Sequence, residues 1–138
     1  MTVLMLHAGC VAIEKRGLLI LGESGSGKSD LALRLIDRGA QLVSDDYTEI
    51  SADHGRLVAR SPQRLVGGIE ARGVGILTLI PAPFAVLSLA LDLDHAPERM
   101  PTLEMMTLEG IELPRLAFTP FEMSAPLKAE YALARFGI

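Results

Sequence analysis

The sequence predicts an α/β fold organised round a glycine-rich loop between a strand and a helix. Three observations carry that expectation. The apolar run "GLLILG" has the length and composition of a buried strand and ends at Gly22. It runs straight into "GESGSGKSD", residues 22 to 30. Beyond that stretch the apolar period turns helical. Leu31, Ala32, Leu35 and Ile36 share one face, while Asp30, Arg34 and Asp37 point away.

The helix is expected over Lys28 to Arg38, with Gly39 as its stop. "QLVSDD" is a second strand closing on two carboxylates. "YTEISADHGRLVAR" predicts a hairpin turning at Asp53, His54 and Gly55. In "SPQRLV", Ser61 can cap and Pro62 can occupy a first helical position, so a short helix is expected. "GGIEARGVGILTLI" is a glycine-bearing loop feeding a strand, and "AVLSLALDL" is another strand. "IELPRLAFT" is expected at a sheet edge, because Pro114 cannot donate to a ladder. "SAPLKAEYALARFG" predicts a C-terminal helix, capped at Ser124 and stopped at Gly137. Residues 95–110 show no assignable pattern.

The 138 residues suit a single domain, residues 1–138, round one core. Hydrophobic residues make up 49%, and buried contacts between subunits account for such a content, so a homo-oligomer is expected. A net charge of −4 argues against nucleic acid as a partner. One cysteine, Cys10, leaves no intrachain disulfide and fits a reducing cytoplasm. "LHAGC" has the look of a lipoprotein cleavage box, but no positive residues precede it and its apolar run is short, so export is not expected. Val74 to Leu91 carries no charge over a length that spans a membrane, yet Pro81 and Pro83 interrupt it. Two buried strands joined by a proline turn are expected there, and no membrane partner.

Gly22, Gly27, Lys28 and Ser29 satisfy G-x-x-x-x-G-K-[ST]. Glycine admits backbone angles that turn successive N–H groups inward, so the loop Gly22, Glu23, Ser24, Gly25, Ser26 and Gly27 is a candidate cradle for phosphate oxygens. The helix beyond adds partial positive charge at its N-terminus. Lys28 can reach β- and γ-phosphates, and the Ser29 hydroxyl can bind Mg²⁺. ATP and Mg²⁺ are therefore the expected cofactors. The loop does not say what receives the phosphate.

Asp45 and Asp46 follow an apolar strand, 23 and 24 positions after Gly22. Neighbouring strand residues face opposite ways, so the two should differ in role. One can help to hold metal, and the other can take a proton from an alcohol acceptor such as a serine. Glu70 is a candidate second metal carboxylate, and Arg72 can neutralise phosphate charge, in a loop that Gly73 and Gly75 make flexible. His7 lies 15 positions before Gly22, on or just after the first strand, where a lone histidine by itself is more often structural. His54, His95 and Cys10 are read as surface, surface and core residues.

In order, His7, "GESGSGKSD", "RGAQLVSDDYTEI" and "IEARGVGIL" resemble the catalytic domain of HPr kinase/phosphorylase, which acts on a serine of the phosphocarrier protein HPr. The resemblance is dense from about residue 4 to residue 80 and thinner beyond. It implies a phosphoenolpyruvate carboxykinase-like nucleotide-binding fold, with a mixed sheet and a P-loop. It implies that Lys28 contacts the β/γ-phosphates and that Ser29, Glu70 and Asp46 surround Mg²⁺. Asp46 would accept the seryl proton and return it in the reverse direction. Asp45 would support Asp46 or the metal, and His7 would orient the acidic pair. Arg99, in "ERMP", stands where the family has a functional arginine. An HPr-type phosphocarrier as partner and a hexameric assembly are implied in the same way.

Two departures matter. The family's usual N-terminal domain has no counterpart in these residues, so the resemblance is to a short form. The family's Arg-Pro-Gly-Arg type segment, linked to attack by inorganic phosphate on phosphoserine, is replaced by "TPFEMSAPLK", with Glu122 and no arginine. Loss of the charge-assisted contacts an arginine makes implies weak or absent phosphorylase activity. A small-molecule kinase or NTPase, and a non-catalytic nucleotide-sensing module, are the alternatives from the loop alone. No Asn-Lys-x-Asp guanine signature or arginine-rich lid favours the former.

Overall fold

Three two-residue hairpins set the course of the chain. Glu14–Lys15, His54–Gly55 and Glu109–Gly110 each place two successive residues at positive φ, the mirror-image turn whose twist matches that of the strands it joins. The structure, a computed structural model, describes residues 2–138. Its strands are β1 (Val3–Leu6), β2 (Ala8–Ile13), β3 (Arg16–Leu21), β4 (Gln41–Ser44), β5 (Thr48–Asp53) and β6 (Arg56–Arg60), then β7 (Gly68–Ala71), β8 (Gly75–Thr78), β9 (Ala85–Asp92), β10 (Glu104–Leu108) and β11 (Ile111–Ala117). The helices are α1 (Lys28–Asp37) and α2 (Ala125–Phe136).

Nine strands form one mixed sheet in the order β1-β5-β6-β9-β3-β2-β4, with β11 and then β10 attached to β9. The β3–β9 and β9–β11 pairs are parallel and the rest antiparallel. β1 and β4 stand at opposite ends of the seven-strand path, yet one residue, His7, separates β1 from β2, the strand next to β4. The sheet must therefore curl until its ends approach. Thr48, opening β5, donates its hydroxyl to Ala8 O at 2.7 Å across that junction.

The core lies in two layers. Leu18, Ile20, Leu89 and Leu91 pack under α1 and α2, against Leu31, Leu35, Ala129 and Leu133. Cys10, Leu19, Ile50, Leu87, Ala90 and Leu113 fill the other face. Leu87 and Leu89 should share a face by strand alternation. They do not, because the β3–β9 register jumps from Gly17↔Leu87 to Leu18↔Leu89, and the extra residue, Ser88, reverses the parity.

Several expectations need correction. "SPQRLV" forms only a 3₁₀ turn, Gln63–Leu65, with no side-chain cap. The glycine-bearing stretch is not a loop feeding a strand but a separate hairpin, β7–β8, in which Gly73 and Gly75 at positive φ make the turn. Its second strand is not buried: Ile76 is 77% exposed. β11 is not an edge, since it joins β9 to β10. Its ladder with β9 begins at Arg115, so the missing N–H of Pro114 falls outside it. Ser124 holds the N-cap position of α2 without a side-chain bond. β2 and β10 had no sequence signal. Among the described residues no helix is long and apolar enough to cross a membrane.

Candidate active site

β3 delivers the chain to Gly22, and α1 leaves at Lys28. Between them the loop is held by a Ser26 N–H bond to Glu23 O at 3.0 Å. Gly25 and Gly27 take φ of 84° and 101°, left-handed conformations that favour glycine. Gly27 is the N-cap of α1 and gives no side-chain cap, so the first-turn N–H groups keep their demand for an acceptor. Ser26 Oγ is buried without a partner. The unpaired first-turn N–H groups fit a bound polyanion.

Lys28 is nearly buried and folds back on its own loop, donating to Gly22 O at 2.7 Å and Glu23 O at 2.9 Å. Burial pushes its ammonium below the ordinary lysine range, and the negative charges of Asp46, Asp94 and Asp45 oppose that shift. Asp94, just beyond β9, accepts the Glu23 N–H at 3.0 Å and so anchors the loop from outside.

The acidic pair does divide, though not by strand alternation. β4 ends at Ser44, and Asp46 sits at φ 68°. Asp45 turns inward and is buried. It accepts the Ser29 hydroxyl at 2.6 Å and the Glu70 N–H at 3.0 Å, tying α1 to β7. Asp46 turns outward, its side chain 58% exposed, and its Oδ1 accepts from His7 Nε2 at 2.9 Å. The curl of the sheet makes this last contact, because His7 occupies the β1–β2 junction. The His7 ring also lies 5.1 Å from that of Tyr47.

A cavity of about 500 Å³ opens over these groups. Ser24, Gly25, Gly27, Lys28 and Ser29 line it from the loop and helix, and Asp46, Glu70 and Arg72 from the turn after β4, from β7 and from the β7–β8 turn. Gly22, Glu23 and Ser26 belong to the loop behind it. Arg99 is exposed on the segment between β9 and β10 and does not line the cavity. His54 and His95 are exposed and pair with Asp53 and Asp92. Lining or supporting residues that the sequence reading did not mark include Leu33, Val74, Asp94 and Phe121. Asp94 repeats the pattern of a carboxylate after an apolar strand, which was a usable signal. Phe121 also lines the cavity, and nothing in its neighbourhood marked it.

The arrangement sets a helix N-terminus with unpaired first-turn N–H groups, a hydroxyl bonded to a buried carboxylate and an exposed carboxylate round one cavity. The sequence pattern of the HPr Serine kinase C-terminal domain matches residues 2–85. The chain belongs to that family. Within it, the HPr kinase/phosphorylase of Clostridium beijerinckii is 50% identical over 72 residues, 52% of this chain and 24% of the relative. That of Clostridium acetobutylicum is 45% identical over 83 residues, 60% of this chain and 27% of the relative. The chain thus spans about a quarter of the length of these curated relatives. A solved structure, that of the Hpr(Ser) kinase/phosphatase from Coxiella burnetii, superposes with a TM-score of 0.80 at 29% identity, covering 95% of this chain and 88% of that one. The HPr kinase catalytic-domain fold of this chain, with its mixed sheet, is therefore shown over nearly its whole length.

Proposed function

We propose that this chain is an ATP-dependent protein serine kinase acting on an HPr-type phosphocarrier, with Mg²⁺ as cofactor. The observation that carries the reading is the division of labour between Asp45 and Asp46 beside a phosphate loop. Asp45, joined to Ser29, faces the place where a phosphate-bound cation would sit. Asp46, exposed and held by His7, faces an incoming hydroxyl. Cytoplasmic residence and a homo-oligomeric, hexameric assembly belong to the same reading.

The loop amides and the α1 N-terminus hold the β-phosphate, and Lys28 leaves the Gly22 and Glu23 carbonyls for the β/γ-oxygens. Ser29, Asp45 and Glu70 are the residues available to hold Mg²⁺, an ion that usually takes one or two carboxylates and completes its shell with phosphate and water. Bound there, it would supply positive charge to offset that of the phosphates. The seryl O–H gives its proton to Asp46 as the oxygen attacks the γ-phosphorus in line with the departing ADP oxygen. His7 fixes the Asp46 carboxylate, and Arg72 adds positive charge at the facing turn. Arg99, exposed and outside the cavity lining of this chain, is given no step in this reading. With Glu122 where an arginine would serve phosphate attack, phosphorylase activity is weak or absent.

The test is transfer of label from γ-labelled ATP to HPr with Mg²⁺. The wild-type chain should label a serine. Asp46→Asn should bind ADP as before and lose transfer by a factor on the order of 10²–10⁴. Loss of ADP binding in that variant would assign Asp46 to the metal rather than to the proton. Rapid release of pyrophosphate from phosphoserine-HPr and phosphate would contradict the phosphorylase proposal.

A further inference from the structure

Phe121 lies between β11 and α2 and is 69% exposed. Yet the backbone that carries it is gripped on both sides. Arg34 of α1 donates to Pro120 O, and to Glu122 O at 3.2 Å, while Asp30 pairs with the same guanidinium at 3.0 Å. Lys128 of α2 holds the Glu122 carboxylate at 3.0 Å. The helix whose N-terminus forms the phosphate site therefore also presents this ring. The approach is close: a β-carbon placed on Gly27 would meet Phe121 ring carbons at 3.0 and 3.1 Å.

An aromatic face carried on a held backbone and open to a cavity is suited to stacking, since an aromatic side chain has few rotamers to lose. Phe121 is the aromatic residue of the cavity lining, and Leu33 and Val74 supply the remaining large apolar surface. Leu33 lies along α1 beyond Lys28 and Ser29, so the lining runs from the phosphate cradle along the helix to an apolar end. We propose that Phe121 is the platform on which the base of the bound nucleotide stacks. The inference rests on the nucleotide reading above and adds a base subsite to it. Every base has a π-face, so the platform favours nucleotides over bare polyphosphate without selecting among bases.

The experiment compares ADP with inorganic tripolyphosphate, both with Mg²⁺, by calorimetry on the full chain, on Phe121→Ala and on Phe121→Trp. The expected result is that Phe121→Ala weakens ADP binding roughly tenfold, leaves tripolyphosphate binding unchanged, and that Phe121→Trp restores ADP affinity. Unchanged ADP affinity in Phe121→Ala overturns the proposal and leaves the phosphate cradle standing. It would also free the ring for a protein partner. Equal weakening toward both probes overturns it too, since the ring would then merely support the loop. A wild-type chain that binds neither probe defeats the nucleotide reading itself, and the platform with it.

Discussion

At Lys28 a charge is buried where it has no carboxylate in contact, only two carbonyls. The folded chain holds that proton less tightly than the unfolded chain, so the burden of burial is full at neutral pH. Stability should therefore rise as pH climbs through the lowered value toward the ordinary lysine range. The proposed polyphosphate binding needs the charge and runs the other way. ADP affinity should fall with rising pH before the ordinary range is reached, whereas Lys28→Gln should bind weakly with no such decline. A flat profile for the wild-type chain up to pH about 10.4 would contradict this account. At His7, removal of the ring frees Asp46 without touching the phosphate cradle. His7→Ala should lower the rate of transfer roughly tenfold or more while ADP affinity holds, and fluorescence titration beside the transfer assay separates the two. Cys10 is fully buried, and burial pushes its thiol up to about 12. It should resist alkylation in the folded protein and react once the chain is unfolded by urea.

At the scale of elements, β9 holds the molecule together: it pairs with β6 at its start, β11 at its end, and β3 along its length. Leu89 is fully buried on it, under the helices. Leu89→Ala should cost about 2–5 kcal/mol in urea unfolding, and a change near zero would mean the site collapses freely. The loop is bound by a different constraint. Gly27→Ala forces a left-handed residue against Phe121 and should cost about 1–3 kcal/mol and weaken ADP binding. Legibility followed locality. β3, the loop, α1, the β5–β6 hairpin, β9 and α2 each carry a period or a turn signal within a dozen residues. β2 does not. Its Ala-Gly-Cys start lacks β-branched residues, and it is a strand because β3 and β4 flank it. In β7–β8 the glycines that mark a loop are the ones that let a tight hairpin form. β10, "EMMTL", is mostly exposed and leans on β11, so no alternation announced it.

The whole molecule explains the rest of the site. Lys28 and Ser29 were legible because the loop is contiguous. The 39 residues between His7 and Asp46 are crossed only by the curl of the sheet, and family resemblance rather than periodicity drew the two together. Asp45 and Ser29 meet for a similar reason, since β2 separates β4 from the strand that leads into α1. Phe121 reaches the loop from the far end of the chain, along β11, which no local pattern reveals. The exposed apolar residues Val74, Ile76 and Ile80 account for part of the high hydrophobic content.

The central claim is that the amides of residues 22–29 grip polyphosphate and that Lys28 moves to meet it. A crystal structure with ADP and Mg²⁺ tests this most directly. The β-phosphate should lie against the α1 N-terminus, with Lys28 Nζ withdrawn from Gly22 O and Glu23 O and placed on a phosphate oxygen. An empty loop, Lys28 still folded onto those carbonyls, and ADP lodged elsewhere would contradict the account.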